Sequence, residues 1–323
     1  MRNRSNTSVM SRIYVSLETD PYYNVAAEYQ LFSEAGPKTC LFLWRNRPAV
    51  VLGRNQNVFA ECDTEFLKEH EIVPVRRLSG GGAVFHDLGN VNFTFISEEK
   101  YADVGRYLKI ISNAILSMGV ECTFSGRNDL LISGKKFSGH AQYADYGNFL
   151  YHGTLMVNVN LDMLTGALKP SFLKLNSKGI NSVRSRVVNL SDLCEGVTPE
   201  STIDAVIQAF MLEYGMEMSI RQISSNNMKP SILEKIKRDD WIYGEAPDFN
   251  ISFEEKLSFG NVTIFANVSD GRISRLKVYT DSLVPIDFTA FEKGLTKSFF
   301  DKKILTHRLE KFVDNVKQKR KCR

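Results

Sequence analysis

Arg76-Arg77-Leu78-Ser79-Gly80-Gly81-Gly82-Ala83-Val84-Phe85-His86-Asp87 is the stretch on which the reading of this 323-residue chain turns. Three consecutive glycines follow two arginines and lead into an apolar run. Glycine lacks Cβ and enters φ > 0 at little cost, so the backbone here can bend sharply and approach a ligand closely. Successive N–H groups in such a turn form a concavity for anions. The arginines add fixed charge and planar donors for phosphate or carboxylate. A nucleotide or another small anion is the guest this chemistry fits. The spacing is neither the G-x-x-x-x-G-K-[ST] of a phosphate loop nor the G-x-G-x-x-G of a dinucleotide fold. Val91-Asn92-Phe93-Thr94-Phe95-Ile96 follows with nearly alternating, β-favouring residues, so the loop is joined to a strand.

Downstream, Gly126-Arg127-Asn128-Asp129-Leu130-Leu131-Ile132-Ser133-Gly134-Lys135-Lys136-Phe137-Ser138-Gly139 forms a second constellation. Residues 130–132 are a short apolar strand, Ser133-Gly134 is turn chemistry, and Lys136 begins the return strand. Such a hairpin places Asp129 and Lys136 on neighbouring strands near one level. An acid and a base then share one site without being neighbours in sequence. A plain surface hairpin with solvated lysines is the competing reading.

These motifs, followed by Tyr151-His152-Gly153-Thr154-Leu155 and by the segment Lys178-Gly179-Ile180 through Leu190, resemble the successive motifs of the lipoate–protein ligase A family. The resemblance runs from about residue 14 to about residue 309. It implies a two-step reaction: lipoate and ATP give lipoyl-adenylate and pyrophosphate, and the acyl group then passes to a lysine ε-amine on a lipoyl domain. Such chemistry needs two anions held together and charge stabilised on the α-phosphate, not a nucleophilic triad.

By this resemblance Lys136 and Asp129 carry catalysis. Lys136 touches both the lipoyl carboxyl and the α-phosphate, and Asp129 positions or deprotonates the attacking lysine. Arg77, Asn128, Lys136 and the backbone of Gly82, Ala83, Val84 and Phe85 hold ATP. Lys136, Arg77, His86, His152, Gly139 and Trp44 border the lipoate site, although core packing is the alternative for Trp44 and a structural, hydrogen-bonded ring for His86. Tyr151 stands where the family usually has the first histidine of His-His-Gly-Thr-Leu. ATP and lipoate enter as substrates and Mg²⁺ as the nucleotide's metal, with no residue assignable to it. The implied partners are lipoyl domains of 2-oxoacid dehydrogenase E2 subunits and the glycine-cleavage H protein, with a monomer as the default state. A lipoyltransferase using preformed lipoyl-adenylate stays open as an alternative, as does a non-catalytic adenylate-binding regulator.

Composition agrees. Hydrophobic content of 43% and charged content of 24% suit a globular protein with a sizeable core. The net charge of +4 is mild and gives no nucleic-acid footprint. The five cysteines include no C-x-x-C, which favours a reducing compartment over a zinc or disulfide framework. No apolar run approaches the length that spans a bilayer. The five histidines have no metal-ligand spacing. Residues 1–12 hold three arginines, three serines and no acid. They read as a flexible tail or a short targeting segment, so the expected compartment is the cytoplasm or an organelle matrix.

The expected fold is α+β: helices against one mixed, largely antiparallel sheet over residues 13–243, then a small α+β accessory domain over 244–323. Asp20-Pro21 opens a helix. Strands near 40–45 and 49–53 form a hairpin. Asp63 caps a short helix, and a helix runs through Val104, Leu108, Ile111 and Ile115. Thr198-Pro199-Glu200 opens another. Three strands and two helices make the accessory domain, whose fusion to the chain favours a self-sufficient ligase.

Overall fold

The computed structural model describes residues 11–125, 129–169, 186–216, 218–243, 251–269 and 271–321. Asn128 and residues 178–185 of the downstream motif lie outside the described residues. In chain order the elements begin with β1 (Arg12–Ser16), α1 (Pro21–Ser33), β2 (Cys40–Trp44), β3 (Ala49–Leu52), α2 (Val58–Glu61), α3 (Thr64–Glu69) and β4 (Val73–Arg76). They continue with β5 (Val84–His86), β6 (Asn90–Glu98), α4 (Val104–Ser117), β7 (Thr123–Phe124), β8 (Asp129–Ile132), β9 (Lys135–Asp145), β10 (Asn148–Met156), α5 (Leu161–Ala167) and α6 (Pro199–Tyr214). The last are β11 (Ile220–Ile223), α7 (Pro230–Lys237), α8 (Asp239–Ile242), β12 (Ile251–Leu257), β13 (Gly260–Ser269), β14 (Arg272–Thr280), α9 (Thr289–Gly294) and α10 (Lys302–Lys321). The chain divides into two compact units: residues 1–49, 85–165 and 182–237, and residues 50–84, 166–181 and 238–323.

The first unit is built on an eight-stranded sheet of order β11-β1-β2-β6-β10-β9-β8-β7. Its pairs are antiparallel except β1 with β11 and with β2, so the expected mixed sheet is present. Alternation along the strands separates two faces. One carries Leu41 opposite Phe95 and Phe95 opposite Tyr151. It packs with Tyr107, Ile110 and Ile111 of α4 and Phe210 of α6 into one buried cluster, in which the Phe95 and Tyr107 rings stack at 4.5 Å. The other carries Phe42 opposite Thr94 and Thr94 opposite His152. Helix α1 covers part of this second face. It starts where Asp20 Oδ1 accepts from the backbone N–H groups of Tyr22 and Tyr23, with Pro21 in the first turn.

The expected hairpin between β2 and β3 is not formed. Strand β2 pairs with β1 and β6, while β3 belongs to a separate three-stranded sheet of order β4-β3-β5. The connection lacks the glycine-containing dipeptide that tight hairpin turns need. It is held from outside instead: Asn24 Nδ2 donates to the Arg45 carbonyl at 2.9 Å and Arg47 N–H to the Thr19 carbonyl at 2.8 Å. Both strands are apolar and, apart from half-buried Cys40, buried along their length, and that pattern does not specify a partner.

In the second unit, β12-β13-β14 form an antiparallel sheet backed by α9 and α10. Leu305, Leu309 and Val313 recur every fourth residue on α10 and are buried with Val262, Ile264 and Ala266 of β13. Short helices α2 and α3 are capped by the side chains of Asn57 and Asp63. Among the described residues no helix is long and apolar enough to cross a membrane.

Candidate active site

The lysine hairpin lies in the first unit. Its turn is a two-residue link with φ of 49° at Ser133 and 77° at Gly134, a pair that matches the twist of the flanking strands. The two expected catalytic residues are not on one level. Asp129 faces Gly139, and Lys136 faces Leu131. A bulge brings them together: Leu130 pairs with Ser138 and Leu131 with Lys136, so Phe137 is an extra residue on β9. An extra residue resets the alternation of a strand. Phe137 and Ser138 are accordingly both fully buried, and Lys136 and Gly139 share the face they would otherwise not share. Lys136 Nζ then lies 2.8 Å from Asp129 Oδ1, a close ion pair whose angle falls short of a hydrogen bond. Both side chains keep about a third of their surface, 35% and 29%. Gly139 makes the room, since a Cβ there would stand 2.8 Å from Lys136 Nζ. An ammonium has three N–H directions, so the ion pair leaves donors for substrate oxygens.

The glycine loop lies in the second unit, and its arginines face inward. Arg77 donates to the carbonyls of Val51, Gly80 and Gly82 at 2.7–2.9 Å and to Ser79 Oγ at 3.0 Å. The guanidinium expected beside the nucleotide is thus placed as a clamp that shapes the loop. Arg76 donates to the carbonyls of Gly53, Gln56, Trp241 and Ile242. Burial, with Arg54 nearby, pushes its pKa down to about 10. Gly81 adopts φ of 90°, and its N–H donates to the Ser282 carbonyl at 2.6 Å. A Cβ at Gly80 would meet that same carbonyl at 2.1 Å, whereas Gly82 faces open space. Ala83 and Val84 are half-buried beyond it.

A third group, in the first unit, was only partly legible in sequence. Glu28 of α1 is 1% exposed, and its Oε1 accepts from Thr94 Oγ1 and His152 Nδ1, each at 2.7 Å. Trp44 Nε1 donates to Thr94 Oγ1 at 3.3 Å, and the Trp44 ring meets His86 edge-on at 5.8 Å. Trp44, His86 and His152, three of the expected lipoate-site residues, are therefore brought into one buried polar cluster. Asn24, Glu28, Asn46 and Thr94 complete it and were missed. The available signal was Asn24 and Glu28 at i and i+4 in an otherwise apolar stretch of α1, which puts two polar side chains on the buried face. Among the described residues no three His, Cys, Asp or Glu side chains converge as a metal site.

Tyr151 faces away from this cluster, into the core under α4. Its hydroxyl lies 2.5 Å from His140 Nδ1, and His140 Nε2 is 2.7 Å from Ser138 Oγ. Burial, then the charges of Lys136 and His152, push the His140 pKa down to about 3. The ring is therefore neutral in the folded protein at pH 5, while the unfolded chain protonates below about 6.5. Native stability is complete above that value and falls as pH drops toward 3, by about 1.4 kcal/mol per pH unit. His140 alone should remove about 2 kcal/mol between pH 6.5 and 5, read by urea unfolding; a slope unchanged in His140→Gln would contradict the assignment. Tyr151→Phe orphans Nδ1 and should cost about 1–3 kcal/mol without altering lipoate affinity. A changed affinity at unchanged stability would place Tyr151 at the ligand instead.

Residues 20–211 match the family model of the lipoyl protein ligase A/B catalytic domain, and residues 246–321 match that of the bacterial lipoate protein ligase C-terminus. The P. falciparum protein LipL1, solved in complex with lipoate, is similar with a TM-score of 0.74 and 26% identity, over 94% of this chain and 99% of that one. A bipartite lipoate protein ligase from Thermoplasma acidophilum, studied with its E2 lipoyl domain, shares the fold at TM-score 0.63 and 24% identity, over 75% and 99%. A lipoate–protein ligase A bound with ATP does so at 0.61 and 23%, over 73% and 99%. The chain is an enzyme of the ligase and acyl-transferase kind, and it belongs to the lipoate–protein ligase family.

Proposed function

We propose that this protein is an ATP-dependent lipoate–protein ligase that forms lipoyl-adenylate from free lipoate and then acylates the lysine of a lipoyl domain. The observation that carries the reading is the Lys136–Asp129 pair, held at 2.8 Å across a bulged hairpin and still open to solvent. In the first step the ammonium stabilises negative charge on the carboxylate and α-phosphate oxygens as they are brought together. In the second, the Asp129 carboxylate receives or orients the proton of the incoming lysine amine. The glycine loop supplies nucleotide contacts through its backbone, and Arg77 acts there by fixing the loop's shape. The cluster of Trp44, His86 and His152 supplies the lipoate site. Mg²⁺ would arrive on the ATP phosphates with water as its other ligands, which suits a chain whose described residues offer no carboxylate cage. The acceptors are lipoyl domains, including those of E2 subunits and the glycine-cleavage H protein, and the working unit is a monomer.

Pyrophosphate release from ATP, measured with and without lipoate, tests the activation half. Lipoate-dependent release is the expected result. No release, with acylation only from supplied lipoyl-adenylate, would mean a lipoyltransferase. Neither activity, despite tight adenylate binding, would mean a non-catalytic regulator. Asp129→Ala should slow transfer from preformed adenylate by about 10²-fold or more. A single-turnover transfer rate equal to that of the unsubstituted protein would remove Asp129 from the second step.

A further inference from the structure

Ser138 carries a hydroxyl with no exposed surface and stands beside Phe137 at the bulge of β9. A buried hydroxyl needs a partner, and the sheet supplies one. His140 lies two residues along β9 on the same face, with its Nε2 2.7 Å from Ser138 Oγ. The imidazole has room because it lies over Gly153, its partner on β10, where a Cβ would stand 2.7 Å from His140 Cδ2. Tyr151, two residues before Gly153 and on the same face, ends this polar tether with its hydroxyl 2.5 Å from His140 Nδ1. Its ring is fixed in the core, with its centroid 6.0 Å from that of Tyr107 on α4. A neutral imidazole has one N–H and one lone pair, so both ring nitrogens are used whichever carries the proton.

Burial of Phe137 alone does not settle where the bulge falls. Two placements keep Phe137 inside and Lys136 outside. In the observed one, Phe137 and Ser138 both point inward, and Gly139 is the next residue on the face of Lys136. In the other, Ser138 and Gly139 would both point outward, with the Ser138 side chain between Lys136 and Gly139. A side chain there would crowd the ammonium, since even a Cβ at Gly139 would be 2.8 Å from Lys136 Nζ. Phe137 is buried equally well in both placements. Directional bonds to a buried hydroxyl distinguish them, which is how a polar group inside a core specifies register.

We propose that Ser138, His140 and Tyr151 are positioning residues for the activation step: their tether holds Ser138 inward, sets the bulge before Gly139 and so lays Lys136 over Gly139 against Asp129. This rests on the reading of the chain as a lipoate ligase in which Lys136 meets the reacting oxygens. The three residues act through the backbone of β9.

The test replaces the whole tether by apolar groups of similar shape: Ser138→Ala, His140→Leu and Tyr151→Phe together, in the full-length protein. No polar atom of the tether is then left orphaned, and such a replacement leaves stability nearly unchanged. A merely structural role would therefore leave activity unchanged as well. The urea midpoint should stay close to that of the wild type. The kcat for lipoate-dependent pyrophosphate release should fall about 10- to 100-fold, the scale of loss when a catalytic group is displaced by about 1 Å. The KM values for lipoate and ATP should not change. In a Lys136→Ala background the same three substitutions should have no further effect on kcat, because no ammonium is left to position. Should the triple variant not fold, Ser138→Ala alone carries the same two expectations.

A folded variant with the wild-type kcat overturns the proposal, as does a loss that persists undiminished in the Lys136→Ala background. A crystal structure of the variant adds a readout independent of activity. Lys136 Nζ displaced from Asp129 is the expected result, and an ion pair kept with the bulge still at Phe137 overturns the proposal. Wild-type protein that releases no pyrophosphate in response to lipoate would refute activation of lipoate by this chain, and the variant's crystal structure would then decide the positioning of Lys136 by itself.

Discussion

Lys136→Ala is expected to slow lipoate activation about 10²–10³-fold, the usual loss when one preorganised charge-stabilising donor is removed. The fold should survive, because the side chain is about one-third exposed and the hairpin is held by its backbone ladder and by Phe137, which is fully buried. Melting temperature and circular dichroism should stay close to those of the unsubstituted protein while pyrophosphate release collapses. Lys136→Arg should not restore the rate. A planar guanidinium needs more width than an ammonium does, and the site is narrow enough that even a Cβ at Gly139 would stand 2.8 Å from the present Nζ. Retention of most of the activity in Lys136→Ala would mean that charge stabilisation is supplied elsewhere.

Arg76→Met should destabilise the second unit by about 3 kcal/mol or more, since hydrogen bonds to a charged group are individually strong and buried carbonyls left without a donor keep their desolvation cost. Arg76 is 5% exposed and is satisfied by backbone carbonyls alone among its named hydrogen bonds. It ties β4 to the turn at residues 53–56 and to α8, whose Trp241 Nε1 donates back to the Arg76 carbonyl at 3.0 Å. Arg54 lies over the same indole ring at 4.1 Å. Methionine has comparable length and no donors, so it separates hydrogen bonding from packing. Urea unfolding monitored by tryptophan fluorescence reads the effect, because Trp241 reports on this joint. A change within about 0.5 kcal/mol, the range of ordinary surface substitutions, would show that water or neighbouring groups replace the guanidinium.

Much of this was legible in the sequence where a local rule decided the outcome. Asp20-Pro21, Asp63 and Thr198-Pro199 each open a helix because capping is local chemistry. Ser133-Gly134 turns the lysine hairpin because αL geometry is local as well. Strand partnership was less legible: β2 and β3 are both continuously apolar, and nothing in such a run names its neighbour. The bulge at Phe137 was invisible for a similar reason. A phenylalanine next to a lysine does not announce an extra residue, yet that residue turns Lys136 toward Asp129. The direction in which Arg77 of the glycine loop points was not legible either. Sequence supplies the donors, but only the folded backbone shows that its own carbonyls take them. Glu28 and Asn24 were missed because helix patterning weights apolar residues, and a buried polar face in α1 lowers that signal.

The most direct measurement is the intact mass of an apo lipoyl domain after incubation with this protein, free lipoate, ATP and Mg²⁺. A mass increase of one lipoyl group, absent when ATP is omitted or when Lys136→Ala replaces the enzyme, is the expected result. An acceptor that remains unmodified under those conditions, yet gains the group when lipoyl-adenylate is supplied, would contradict activation of free lipoate by this chain.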